Sequence, residues 1–227
     1  MMEVRPMRLK RYCSLILAVL LALSAAGCGV TGHAAMSVHP AQLSAEEEAL
    51  TKLLDVNMDS YRIFDFQMEG GGNSGVQSVQ VTLYELEDGA WTVKARSQRA
   101  FSDALGRLAL SFGKITEGVR LTVQSENVFD SILLNMESED DTSSMSYTTS
   151  MLTESAMMDM DKETPLAIQI VTSKSDIISY GVQYFEMPRE YARHNYEHVY
   201  AVTLMFSQKT VYELADSAAD PAASPAA

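Results

Sequence analysis

Two histidines four residues apart, with an acid beside the second, are the side chains here whose types and spacing suit metal chemistry. His194-Asn195-Tyr196-Glu197-His198 reads H-x-x-E-H. On a helix, positions i and i+4 share a face, so both imidazoles could hold one Zn²⁺ while Glu197 serves as base. The surrounding sequence opposes this. A catalytic zinc needs a third protein ligand, and only 29 residues follow His198. His198 also runs straight into the apolar stretch 199–206, which leaves about two turns of helix after Pro188. The simpler expectation is a short helix or turn that carries solvent-facing histidines into a final strand. A metal-dependent hydrolase using His194 and His198 stands as the alternative, and no catalytic, cofactor-binding or metal-ligating residue is assigned.

Asp159, Asp161 and Glu163 are spaced like the start of a calcium loop. That loop needs Gly at position six and Glu at position twelve, where this chain has Thr164 and Ile170. A solvated charge run is the expectation. Met145, Met151, Met157, Met158 and Met160 cluster nearby. Thioethers select Cu(I), but methionine is more commonly adaptable packing. Tyrosines gather late, at Tyr180, Tyr184, Tyr191, Tyr196 and Tyr200. Such rings build binding surfaces for protein or glycan when exposed, and they fill a core when buried.

The elements that must carry these residues read as strands. Val79, Val81 and Leu83 alternate with polar residues, as do Trp91, Val93 and Ala95. Leu108, Leu110 and Phe112 repeat the pattern, followed by Val119, Leu121 and Val123, then Leu166, Ile168 and Ile170. The run 199–206 is nearly continuous apolar and predicts a strand buried on both faces; residues 61–66 make a first strand. About seven to nine short strands imply an antiparallel β-sandwich, with a small β-barrel as the alternative closure. Ser44 and Glu47 form a capping box that opens a helix over 45–55. Asp88-Gly89 suggests a two-residue hairpin loop, but that loop would pair Leu83 with Lys94. A three-residue loop, Glu87-Asp88-Gly89, pairs Leu83 with Val93 and is the one predicted. Residues 137–163, rich in Ser, Thr, Asp and Met, read as a mobile loop or a pair of edge strands. Residues 70–75 read as a flexible connection and 215–227 as a disordered tail.

The first 28 residues carry an address. Arg5, Arg8, Lys10 and Arg11 precede the 14-residue apolar run 13–26. As helix that run spans about 21 Å, too short for the ~30 Å hydrocarbon core and suited to an export signal. Leu23-Ser24-Ala25-Ala26-Gly27-Cys28 resembles the lipobox of bacterial lipoproteins, with Ala25 where Leu is more usual. The resemblance implies cleavage between Gly27 and Cys28 and a diacylglyceryl group on the Cys28 sulfur. Two acyl chains give stable anchoring, so the resemblance places the protein on the extracytoplasmic face of a cell membrane. The domain plan is then a signal over 1–27, a flexible tether over 28–42 and a folded domain over 43–214.

The only cysteines are Cys13, lost with the leader, and Cys28. The folded domain therefore relies on its core without disulfides. Residues 1–27 hold four of the 17 basic and one of the 30 acidic residues, so their removal takes the formal charge from −13 to −16. That balance excludes nucleic acid as a partner and gives no electrostatic help at an anionic membrane. No cofactor is implied. The expected role is a non-catalytic binding or interaction module of the cell envelope.

Overall fold

The structure, a computed structural model, describes residues 35–53, 61–68, 75–136 and 141–219. The leader, Cys28 and residues 70–74 lie outside them. Two antiparallel sheets form a β-sandwich with no closed barrel. One sheet, sheet A, holds β1 (Ala35–Pro40), β2 (Tyr61–Met68), β5 (Leu105–Ser111), β6 (Val119–Ser125), β7 (Phe129–Leu134) and β9 (Ala156–Asp159) in the order β7-β6-β5-β2-β1-β9. Sheet B holds β3 (Ser78–Glu87), β4 (Ala90–Ala100), β8 (Ser146–Met151), β10 (Thr164–Thr172) and β11 (His198–Ser207) in the order β4-β3-β11-β10-β8. The helices are α1 (Ala45–Leu53), α2 (Pro188–Ala192) and α3 (Val211–Ala219).

Strand alternation builds the core. Phe64, Phe66, Leu108 and Leu110 of sheet A face Val81, Leu83, Leu204 and Phe206 of sheet B, all essentially without solvent contact. Phe66 and Phe206 meet with centroids 5.3 Å apart, and Phe101 closes the cluster at 5.6 Å from Phe66. Full burial of each such side chain contributes about 1.5–3 kcal/mol. An ion pair between Arg99 and Asp130, at 3.2 Å, ties β4 to β7 along one side.

Four features differ from the sequence reading or decide between its alternatives. The expected tether contains β1, a central strand of sheet A that pairs with both β2 and β9. Only Met36 and Val38 alternate there, too few to stand out in a run of small residues, yet both are fully buried. The expected disordered tail begins inside α3, whose start lies upstream of it. There Thr210 and Glu213 form a capping box, with Thr210 N–H 2.7 Å from a Glu213 carboxylate oxygen, and Leu214 is buried. Residues 137–163 supply the two edge strands β8 and β9, one in each sheet. The β3–β4 hairpin has the two-residue loop after all, with Glu87 opposite Ala90 and positive φ at Asp88 and Gly89. Parity is restored by a bulge. Tyr84 pairs with Val93 and Leu83 with Ala95, so Lys94 is the extra residue and Leu83 avoids it.

Helix α1 forms where the capping box sets it. Glu47 N–H meets Ser44 Oγ at 3.3 Å, and Ser44 N–H donates to Glu47 at 2.8 Å. The helix buries none of its residues.

Candidate functional site

Strands β10 and β11 are adjacent and antiparallel, so a two-residue turn could join them. The chain uses residues 173–197 instead. At 25 residues this connection is far longer than the loops that commonly join neighbouring antiparallel strands. It contains a 3₁₀ turn, Val182–Glu186, followed by α2, and it folds back over the outer face of sheet B. The apolar outward side chains Ile168, Ile170, Val199 and Ala201 are buried beneath that layer. This is why β10 and β11 read as almost continuous apolar runs.

Aromatic rings bind the connection to the sheet. Phe185 stacks on Trp91 at 5.1 Å and meets Tyr84 edge-on at 5.5 Å, while Trp91 Nε1–H donates to the Phe185 carbonyl at 2.7 Å. Above them Tyr180 stacks on Tyr184 at 4.6 Å and meets Tyr191 edge-on at 5.2 Å. Tyr180 Oη lies 2.8 Å from His194 Nε2, and the His194 ring stacks on Tyr196 at 5.3 Å. The Lys174 ammonium sits over the Tyr196 ring and donates to the His194 carbonyl. Burial pushes the Tyr191 phenol above its ordinary range, with Tyr180 and Tyr184 adding to the shift. The late tyrosines thus divide. Tyr191 and Tyr200 are core residues, whereas Tyr180, Tyr184 and Tyr196 are half-buried in the cover.

The structure separates the members of H-x-x-E-H. Helix α2 ends at Ala192, and Asn195 has φ of 47°, so no single helix face carries both rings. His194 belongs to the cover on the outer face of sheet B. His198 shares the opposite strand face with Tyr200 and Phe206, and its Nδ1 lies 2.8 Å from Glu85 Oε1. The other Glu85 oxygen is 3.0 Å from Lys94 Nζ. Glu197 turns to a third place, where it accepts from Thr172 and Ser173 hydroxyls and from Ser173 N–H. Those bonds, the Ser173 hydroxyl first, pull its carboxyl down to about 2.

The acidic triplet disperses in the same way. Asp161 accepts from the Ser207 hydroxyl, and Asp159 is exposed. Glu163 accepts four side-chain hydrogen bonds: from Gln80 at 3.0 Å and Thr82 at 2.9 Å on one oxygen, and from Tyr84 at 2.7 Å and Thr203 at 2.9 Å on the other. Among the described residues no three His, Cys, Asp or Glu side chains come together as a metal site. Met151 and Met158 are buried, Met145 and Met160 pack at the core margin, and Met157 is exposed.

The Glu163 cluster was not read from sequence. Its signal is there: Gln80, Thr82 and Thr203 are polar residues at alternate positions in otherwise apolar strands. No protein-family model, curated protein or solved structure matches the chain.

What the cover presents to solvent is chemically specific. The faces of Tyr180 and Tyr184 are turned on each other, as are those of His194 and Tyr196. The Tyr180 hydroxyl is engaged by His194 and the Tyr196 hydroxyl accepts from Ile178 N–H, and the exposed aliphatic side chains Ile178, at 52 % exposure, and Met187, at 45 %, flank the rings.

Proposed function

We propose that the mature chain is an exported envelope lipoprotein, anchored through acyl chains on Cys28, whose sandwich is a non-catalytic interaction module for a protein partner. The observation that carries this reading is the 173–197 connection: far longer than the strands need, held rigid by stacked rings, and offering aliphatic side chains at its surface. A sugar-binding platform needs open ring faces, and here Tyr180, Tyr184, His194 and Tyr196 each have one face covered by a stacked neighbour. Exposed Met and Ile beside aromatic rings instead match the composition of protein–protein contacts. The zinc-hydrolase alternative gains no support from histidines placed on opposite faces of sheet B.

Two measurements test the reading. In a Cys28→Ala variant the protein should leave the membrane fraction once its signal is cleaved, and acylated Cys28 should be found by mass spectrometry in the parent. Photo-crosslinking side chains placed at Ile178 and at Met187, in cells, should both trap the same protein. One placed at Thr122, on the outer face of sheet A, should not. Introducing Ile178→Asp with Met187→Asp should remove the product while the melting temperature holds. Equal trapping from all three positions, or none from the first two, overturns the reading.

A further inference from the structure

We infer that one end of the sandwich, the end where β1 begins, rests on the lipid surface through Phe129, Leu105 and Tyr212. This inference rests on the lipoprotein reading and deepens it. The first observation is a length. With β1 starting at Ala35, only six residues separate it from Cys28. Seven Cα steps reach at most about 25 Å whatever their path, less than the thickness of a bilayer of about 40–45 Å with its headgroups. A tether running to residue 42 would have let the domain tumble freely. This one does not.

The second observation is what lies at that end. The register places Ala35 beside Asp159 and next to the last residues of β2. Gln67 of β2 pairs with Leu105, Gly106 with Ser125, and Gln124 with Phe129. In sheet B the same end carries Ser78, Ala100 and Ser207, because Phe206 packs on Phe66 and Phe101. Helix α3 follows directly. Here stand the two most exposed aromatic side chains among the described residues, Tyr212 at 85 % and Phe129 at 77 %, together with Leu105 at 62 %. Aromatic and aliphatic side chains at this level favour the membrane–water interface. The charges nearby are mainly acidic: Asp103, Glu126, Asp130, Asp159, Asp161, Glu213 and Asp216 against Arg99, Lys162 and Lys209. The contact is therefore apolar and is opposed by anionic lipid.

The test uses the full lipidated chain in vesicles. Once Cys28 is a thioether, an introduced cysteine is the only thiol. Nitroxide labels at Phe129→Cys and Tyr212→Cys should collide more with oxygen than with a water-soluble nickel chelate in phosphatidylcholine vesicles. Labels at Glu117→Cys and Asp176→Cys, at the opposite end, should show the reverse order. Adding phosphatidylglycerol should shift the first two toward water. Labels at 129 and 212 that are as aqueous as those at 117 and 176, on acylated and membrane-bound protein, overturn the inference alone. Protein that is not acylated overturns the lipoprotein reading instead.

Discussion

Glu163 is a single side chain holding the β9–β10 corner against two strands of sheet B. Its four donors include Thr82 and Thr203, both without solvent contact. Removing the acceptor takes away the partner of both hydroxyl protons, although Thr82 Oγ1 still accepts from Gln80 Nε2 at 3.2 Å, and a buried donor without a partner costs about 1–3 kcal/mol. Glu163→Ala should therefore lower unfolding free energy by about 2 kcal/mol in urea titrations, and Asp159→Ala by less than about 0.5. Equal effects would show that the four bonds contribute nothing. Glu197 gives a pH dependence instead. Its carboxyl is held at about 2 against an ordinary 4.5, so the folded state prefers the ionised form. That preference is complete above pH 4.5 and is lost as the pH falls toward 2. The side chain is solvated, so the contribution is small and screened. The parent should lose more stability between pH 5.5 and pH 3 than Glu197→Gln does, and the comparison cancels the other carboxylates. Parallel curves would remove Glu197 from the account.

At the scale of elements, the β3–β4 hairpin shows how a sound constraint can be met by an unexpected device. Leu83 must not face a cation, and it does not. The chain satisfies this with an extra residue, Lys94, inside the strand rather than in the loop. The turn keeps Asp88 and Gly89 in the left-handed region at φ of 51° and 80°. A Cβ at Gly89 would meet only the Ala192 side chain, at an ordinary 3.8 Å, so the cost of Gly89→Val is conformational, about 1–2 kcal/mol. Thermal melts should show that loss, and an unchanged melt would contradict the turn geometry. Helix α1 teaches a complementary point. Its capping box and apolar spacing define it as a helix, yet Leu50 and Leu53 are 55 % and 81 % exposed. Periodicity states which residues share a face; it does not state that the face is covered.

For the whole molecule, β1 is the decisive strand. It joins β2 to β9, so sheet A without it is divided and Met36 and Val38 vanish from the core. Their burial alone contributes about 1.5–3 kcal/mol each, comparable with the 5–15 kcal/mol that stabilise a typical domain. A chain starting at residue 35 should unfold in one cooperative transition, followed by circular dichroism. A chain starting at residue 41 should have no such transition. If both melt alike, β1 is dispensable and the short-tether geometry falls with it.

The sequence by itself determined what depends on near neighbours. Alternation at i and i+2 gave the antiparallel strands, Ser44 with Glu47 gave α1, and the absence of cysteine beyond residue 28 leaves the sandwich without a thiol of its own. The resemblance of residues 23–28 to a lipobox rests on the same local spacing. Only the tertiary structure decided what depends on residues far apart. It made a strand of residues 35–40, separated His194 from His198 by a sheet, and gathered Gln80, Thr82, Tyr84 and Thr203 around Glu163. The physical reason is burial. A side chain's neighbour across a sheet, or in the layer above it, is chosen by the packing of the whole sandwich, and no spacing along one strand records it.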